Sequence, residues 1–316
     1  MKKMLSLVLA LCMLLTCGSV MAEGKTYQIG VLQLVQHAAL DAATQGFVDA
    51  LTEKLGDKVE FDIQNASGDS AACTTIATTF DANGVDLIMA NATPALQAAM
   101  NATGTIPVLG TSVTDYATAL GVTEGWTGVT GLNVSGTSDL APLDGQAAMI
   151  KELFPDAKKV GLLYCSAEPN SVYQVTVIAE HLKALGYETE EFSFSDSNDV
   201  ATVTQACADS VDVIYIPTDN TAASYTETIA NVVIPAKKAV VAGEAGICSG
   251  CGVATLSISY YDLGYQTGLM AYDILVNGAD ITTMEIQSAP NFTKMYNAAN
   301  VAELGLTMPA DYLPIE

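Results

Sequence analysis

The chain has 316 residues, half of them hydrophobic and 15% charged, with a mean hydropathy of +0.32, a composition that excludes disorder and collagen-like repeats. Acidic side chains number 35 against 12 basic ones, for a formal charge of −23, which repels phosphate backbones and anionic lipid and so excludes nucleic-acid and membrane-surface partners. Every basic residue is lysine, so no guanidinium fork can grip a carboxylate, and an anionic ligand group must rely on backbone amides, hydroxyls or lysine.

Lys2 and Lys3 precede an apolar run over residues 4–16, and Val20-Met21-Ala22 offers a small-residue cleavage site. This pattern predicts a signal peptide over 1–22 and an exported protein, periplasmic or at the cell surface. Cys17, after Leu14-Leu15-Thr16, gives the alternative of a lipid-bearing cysteine. No later stretch has the roughly 20 uninterrupted apolar residues of a spanning helix.

From residue 27 short β-branched runs alternate with helical periodicity: strands over 28–35, 59–65, 85–91 and 106–112, and helices over 40–55, 70–83 and 94–101. Residues 123–135 are turn-rich, a helix is expected over 143–153, and the strand pattern restarts at Lys159. The restart is a repeat. Ile29-Gly30-Val31-Leu32 answers Val160-Gly161-Leu162-Leu163, Val85-Asp86-Leu87-Ile88 answers Val211-Asp212-Val213-Ile214, and Pro107-Val108-Leu109-Gly110-Thr111 answers Val240-Val241-Ala242-Gly243-Glu244. A helix over 260–276, a strand over 283–289 and a further element over 293–304 follow.

Alternation of this kind predicts an α/β fold of two doubly wound parallel-sheet lobes, which the late elements join through a hinge. Each lobe then offers a crevice at the carboxyl ends of its strands.

Beyond the leader lie Cys73, Cys165, Cys207, Cys248 and Cys251. The Cys248-Ser249-Gly250-Cys251 spacing lacks the second ligand pair that zinc needs, which leaves a local disulfide or two loop thiols. No G-x-G-x-x-G, P-loop, G-x-S-x-G or H-E-x-x-H occurs. No nucleophile pairs with His37, and His181 falls on a solvated helix face, so neither an enzyme nor a cofactor or metal site is indicated.

The strand-end loops carry the useful groups. Thr93-Pro94, Thr111-Ser112, Asn170-Ser171 and Asn220-Thr221 place hydroxyls and amides at helix starts, where unpaired N–H groups attract anions. A ligand ammonium would need a screened carboxylate, with Asp219 the first candidate and Glu244 the second. Asp41, Asp115 and Glu168 occupy similar loops. Among the tyrosines, Tyr116, Tyr173, Tyr225, Tyr260 and Tyr261 fall near loops or the hinge, where a ring could stack on a planar ligand.

The phrase Gln33-Leu34-Val35-Gln36-His37-Ala38-Ala39-Leu40-Asp41, with the signal peptide and duplicated lobes, resembles the solute-binding proteins of ABC importers, in the family that includes tryptophan- and phenylalanine-binding members. Gln36 stands where that family's motif has Glu and Ala38 where it has Pro, while His37, Leu40 and Asp41 match. Ala92-Thr93-Pro94-Ala95, the loop from Thr111 to Asp115, Asn170-Ser171, Pro217-Thr218-Asp219-Asn220 and Ser259-Tyr260-Tyr261-Asp262-Leu263-Gly264 are family-like as well.

The resemblance implies a type I periplasmic binding protein that closes on a small ligand, an aromatic amino acid foremost, and delivers it to a permease with a separate ATPase; the sequence leaves the oligomeric state open, with a monomer expected. It implies a first lobe of 23–133 plus 260–292 and a second of 134–259 plus 293–316. Binding residues would come from 36–115 in one jaw (Gln36, His37, Asp41, Thr93, Pro94, Ala95, Thr111, Ser112, Asp115) and from 166–246 in the other (Ser166, Asn170, Ser171, Thr218, Asp219, Asn220, Glu244). A nucleoside, a sugar, a branched-chain amino acid, or a role as a sensor lobe are the alternatives, because fold does not fix ligand.

Overall fold

The computed structural model describes residues 25–122 and 125–315. The leader over 1–22 and the lipidation alternative at Cys17 lie outside them. Among the described residues no helix is long and apolar enough to cross a membrane.

The first half builds β1 (Tyr27–Gln33), α1 (Ala38–Leu55), β2 (Val59–Asn65), α2 (Ser70–Asn83), β3 (Leu87–Asn91), α3 (Thr93–Ala102), β4 (Val108–Val113), α4 (Tyr116–Leu120) and β5 (Val134–Ser138). The second builds α5 (Leu143–Leu153), β6 (Lys159–Cys165), α6 (Pro169–Ala184), β7 (Glu188–Phe194), α7 (Val200–Ser210), β8 (Val213–Ile216), α8 (Asn220–Ser224), α9 (Thr226–Val233), β9 (Ala239–Ala242), α10 (Ala245–Cys251) and β10 (Ala254–Ser257). The end of the chain adds α11 (Tyr260–Leu275), β11 (Gln287–Ser288), β12 (Thr293–Tyr296), α12 (Ala298–Glu303) and β13 (Leu313–Pro314).

One sheet runs β11-β5-β4-β3-β1-β2 and the other β13-β12-β10-β9-β8-β6-β7. The order of β1 to β5 thus recurs in β6 to β10. All pairings are parallel except that of β10 with β12. Central strands β3, β4, β8 and β9 are buried along their whole length, as parallel strands covered by helices on both faces must be. The outermost β2 and β7 carry exposed acidic residues, which blunts an edge against strand addition. In both sheets the winding direction reverses beside the first strand of the repeat, so the loops after β1 and β3, and after β6 and β8, flank a crevice.

Three connections join the sheets: from β5 into α5, from β10 into α11, and from β11 into β12. Strand β5 corrects the expected boundary, because Val134 pairs with Val108 and Gly136 with Gly110, which places 134–138 in the first sheet. Its Val-Ser-Gly-Thr-Ser sequence lacks the alternating bulk of a strand and reads as turn. Small residues are needed here, since a Cβ on Gly136 would overlap the Gly110 carbonyl oxygen. The strand expected over 283–289 shrinks to Gln287–Ser288 behind a 3-10 turn at Ile281–Thr283, which Asp280 caps.

Helices α1 and α11 meet through glycines. A Cβ on Gly264 would overlap the Ala43 carbonyl oxygen, and one on Gly46 the Tyr261 carbonyl oxygen. The helix that crosses between the lobes is thereby held backbone to backbone on the first lobe.

Cys248 and Cys251 are unpaired thiols on α10, buried rather than in a loop. Burial pushes both thiols far above their usual range, and only a thiolate reacts. Alkylation of the native protein should leave both unmodified by peptide mass spectrometry, with full modification in denaturant. Native labelling would contradict this packing.

Candidate functional site

The loops at the reversal points of the two sheets face each other. His37 precedes α1 with an extended backbone and spends no side-chain atom on capping that helix. Its Nε2 lies 3.2 Å from Asn220 Oδ1, a contact from the β1 loop of one lobe to the start of α8 in the other. At the ends of β3 and β4, Ala92 and Ser112 hold φ of 93° and 54°. Non-glycine residues in this left-handed region are strained, and such strain clusters at functional sites.

An inner cavity of about 20 Å³ lies between these loops, with His37, Ser112, Asp139, Asn170, Glu244 and Tyr260 among its walls. That is room for one water-sized group. Four buried wall atoms have no hydrogen-bond partner: His37 Nδ1, Ser112 Oγ, Asp139 Oδ1 and Asn170 Oδ1. An unpaired buried polar atom costs about 1–3 kcal/mol, so four around one void mark a place built for an occupant.

Asp139 follows β5 on the first connection between the lobes and is 4% exposed. Its Oδ2 accepts a 2.8 Å hydrogen bond from the hydroxyl of Tyr260, the first residue of α11 on the second connection. Burial raises the Asp139 pKa, only partly countered by the Tyr260 bond and the nearby Thr114 hydroxyl, and the Glu244 charge adds to the rise. Burial likewise raises Glu244. It pushes Asp219 up to about 7, with the neighbouring Glu168 carboxylate second among the causes. Among the described residues no lysine lines the cavity, so its three buried carboxylates have only the His37 ring as a basic neighbour in the walls.

A folded-state pKa of about 7 against an ordinary 3.8 for Asp219 means that the folded protein retains a proton the unfolded chain has released. Stability is therefore fullest below the ordinary value and falls as pH rises through this window, and the shifts of Asp139 and Glu244 act in the same direction. The ligand-free protein should melt at a lower temperature near neutral pH than near pH 5, as read by scanning calorimetry. A melting temperature that climbs over this range would contradict the assignment.

Asn220 also lines an outer pocket of about 440 Å³ that opens from the cleft. Leu34, Val35 and Pro94 form one wall, and Glu168, Thr221 and Tyr225 are on the other. A larger void of about 670 Å³ lies between α11 and residues 287–293. None of the buried unpaired polar atoms among the described residues belongs to its walls.

Residues 28–314 match the model of the family described as ABC transporter substrate binding protein. The chain belongs to this family. It is 37% identical over 268 residues to a tyrosine-binding protein of Clostridioides difficile (strain R20291), over 83% of this chain and 77% of that protein. The ABC domain of Streptococcus pneumonia solved in complex with L-Trp superposes with a TM-score of 0.86 at 33% identity, covering 90% of this chain and 97% of that one. The ligand-free, open structure of a substrate-binding protein with adhesive properties from Clostridium difficile gives 0.70 at 35% identity, covering 92% and 99%. At like identity, then, this substrate-binding protein overlaps better with the ligand-bound form than with the open one, and its fold is that of type I periplasmic binding proteins.

Of the residues expected from sequence, His37, Ser112, Asn170, Thr218, Asp219, Asn220 and Glu244 line the inner cavity and Pro94 the outer pocket. The two expected ammonium partners are otherwise engaged. Asp219 caps α8 through Ala222 N at 2.7 Å and accepts from Cys165 N at 2.6 Å. Glu244 caps α10 through Gly246 N and Ile247 N.

The remaining candidates serve their own loops. Asp41 accepts from Gln33 Nε2, Asp115 caps α4 through Thr118 N, Thr111 Oγ1 pairs with Thr137 Oγ1, and Ser166 donates to the Phe194 carbonyl. Gln36 is exposed, Thr93 and Ala95 are buried in the first turn of α3, and Ser171 Oγ accepts from Asn170. Sequence reasoning missed Asp139 because the turn-rich reading over 123–135 covered only the start of β5 and no strand was expected there, which hid the strand end that precedes it. Tyr260 was legible only as a hinge tyrosine.

Proposed function

We propose that this substrate-binding protein captures an aromatic amino acid in the cleft and delivers it to an ABC permease served by a separate ATPase. The supporting observation is the set of unpaired acceptors around the inner cavity. An ammonium group has three donors, and Asp139 Oδ1, Asn170 Oδ1 and His37 Nδ1 supply three buried acceptors. The charge on Asp139 makes its contact the strong one.

With no arginine in the chain, the ligand carboxylate falls to the Ser112 hydroxyl and to N–H groups at strand and helix ends. The ring then extends past Asn220 into the outer pocket, against Leu34, Val35 and Pro94. A tyrosine-binding relative and a tryptophan-bound structure favour an aromatic side chain there. A sugar or nucleoside would leave the cluster of carboxylates without a countercharge.

Closure follows from where the anchor sits. Asp139 and Tyr260 lie on two of the connections between sheets, while His37 and Asn170 belong to opposite lobes. A ligand touching all of them is bound more tightly in the closed form and shifts the population toward it. The lobes would comprise the first sheet with α1 to α4 and α11, and the second sheet with α5 to α10 and α12. Export through the residue 1–22 leader, with Ala22 cleavage or lipidation at Cys17, completes the reading.

Thermal unfolding of refolded, ligand-stripped protein against amino acids, nucleosides and sugars tests it. A ligand at about 100 times its dissociation constant stabilises by about 2.7 kcal/mol. The expected result is a shift with Tyr, Trp or Phe, and a shift with sugars or nucleosides alone would overturn it.

A further inference from the structure

Glu168 sits just outside the inner cavity, 5% exposed, at the start of α6. It touches none of the atoms left unpaired, yet its carboxylate collects donors from both sides. Its Oε2 accepts from Asn170 Nδ2 at 3.2 Å, Asn220 N at 3.0 Å and Asn220 Nδ2 at 2.6 Å. Its Oε1 accepts from Thr221 N and Thr221 Oγ1, each at 2.8 Å.

A carboxylate cannot donate, so it fixes which end of each neighbouring amide faces it. Asn170 turns its NH2 toward Glu168 and the Thr218 carbonyl, which leaves Oδ1 of this cavity-lining residue without a partner. Asn220 turns its NH2 toward Glu168, which leaves Oδ1 for His37 Nε2. A carbonyl oxygen can only accept, so Nε2 carries the proton, and in the neutral ring Nδ1 then presents a lone pair.

We infer that Glu168 is a positioning residue that sets the polarity of the inner cavity. Through two asparagine amides and one histidine tautomer it turns Asn170 Oδ1 and His37 Nδ1 into acceptors, and so makes the cavity selective for an ammonium donor. Flipped amides and the opposite tautomer would point donors at the same place and repel a cation.

The binding part of this inference rests on the amino-acid reading above; the tautomer part does not. The chain has only two histidines, His37 and His181, so nitrogen-15 NMR of histidine-labelled, ligand-free protein near pH 8 reads His37 directly once His181→Gln assigns the other. The expected signature is a protonated Nε2 and a bare Nδ1. In Glu168→Ala, that preference should give way to a mixture. Tyrosine affinity should fall by about tenfold or more, and discrimination against a tyrosine analogue lacking the amine should shrink, because Asn220 is free to turn and with it the His37 tautomer, while Asn170 keeps the Thr218 carbonyl as an acceptor.

A protonated Nδ1 in the wild type would overturn the inference, as would Glu168→Ala with wild-type tautomer and selectivity. If that variant fails to fold, the wild-type tautomer decides alone. Absence of any aromatic amino-acid binding by the wild type would sink the ligand reading instead and leave the tautomer result to decide the role of Glu168.

Discussion

Asparagine in place of Asp139 should weaken tyrosine binding by about 100-fold or more, without lowering the melting temperature of the ligand-free protein. Breaking a buried charge pair by removing one partner costs about 3–5 kcal/mol, because the other charge stays buried and unpaired. The ligand ammonium would be that stranded charge. Without ligand the balance reverses, since burial already disfavours the Asp139 carboxylate. The Asp139→Asn side chain would keep an acceptor for the Tyr260 hydroxyl while removing that penalty. Calorimetric titration and thermal unfolding of the same preparation separate the effects. Affinity within about threefold of wild type would place the ammonium elsewhere.

The second large effect is structural. Alanine in place of Gly264 should destabilise the protein by about 3 kcal/mol or more, although alanine is the better helix former by about 1 kcal/mol. Gly264 lies within α11, where propensity alone favours the substitution. The added methyl has no room, because it would overlap the Ala43 carbonyl of α1, which is backbone and cannot swing aside. The helices must separate, opening the buried contact among Ala39, Ala43, Ile258, Tyr260 and Leu263. Urea unfolding reads the change, and a stabilised Gly264→Ala would show that the two helices tolerate a wider spacing.

Much of the fold was open to reading because the duplication repeats its signals. Strand runs such as Ile29-Gly30-Val31-Leu32 and Val160-Gly161-Leu162-Leu163 are apolar throughout, as strands covered on both faces must be. Strand β5 escaped because close sheet packing replaced the bulky residues that betray a strand with Ser, Gly and Thr.

The site was legible by place and less so by role. Strand-end loops of an α/β sheet are where ligands bind, and His37, Ser112, Asn170 and Asn220 do meet there. Asp219 and Glu244 look the same in sequence whether they cap a helix or face a ligand, and only geometry shows their oxygens already taken by backbone N–H groups. Asp139 enters through tertiary structure, since nothing local links it to Tyr260, 121 residues away.

The most direct test of an ammonium-centred cleft is a calorimetric titration of the wild-type protein with tyrosine and with 3-(4-hydroxyphenyl)propionate, which keeps the ring and carboxylate and lacks the amine. Binding of tyrosine with loss of at least about 100-fold for the deaminated compound is the expected result. Comparable affinity for the two would contradict the role given to Asp139, Asn170 and His37.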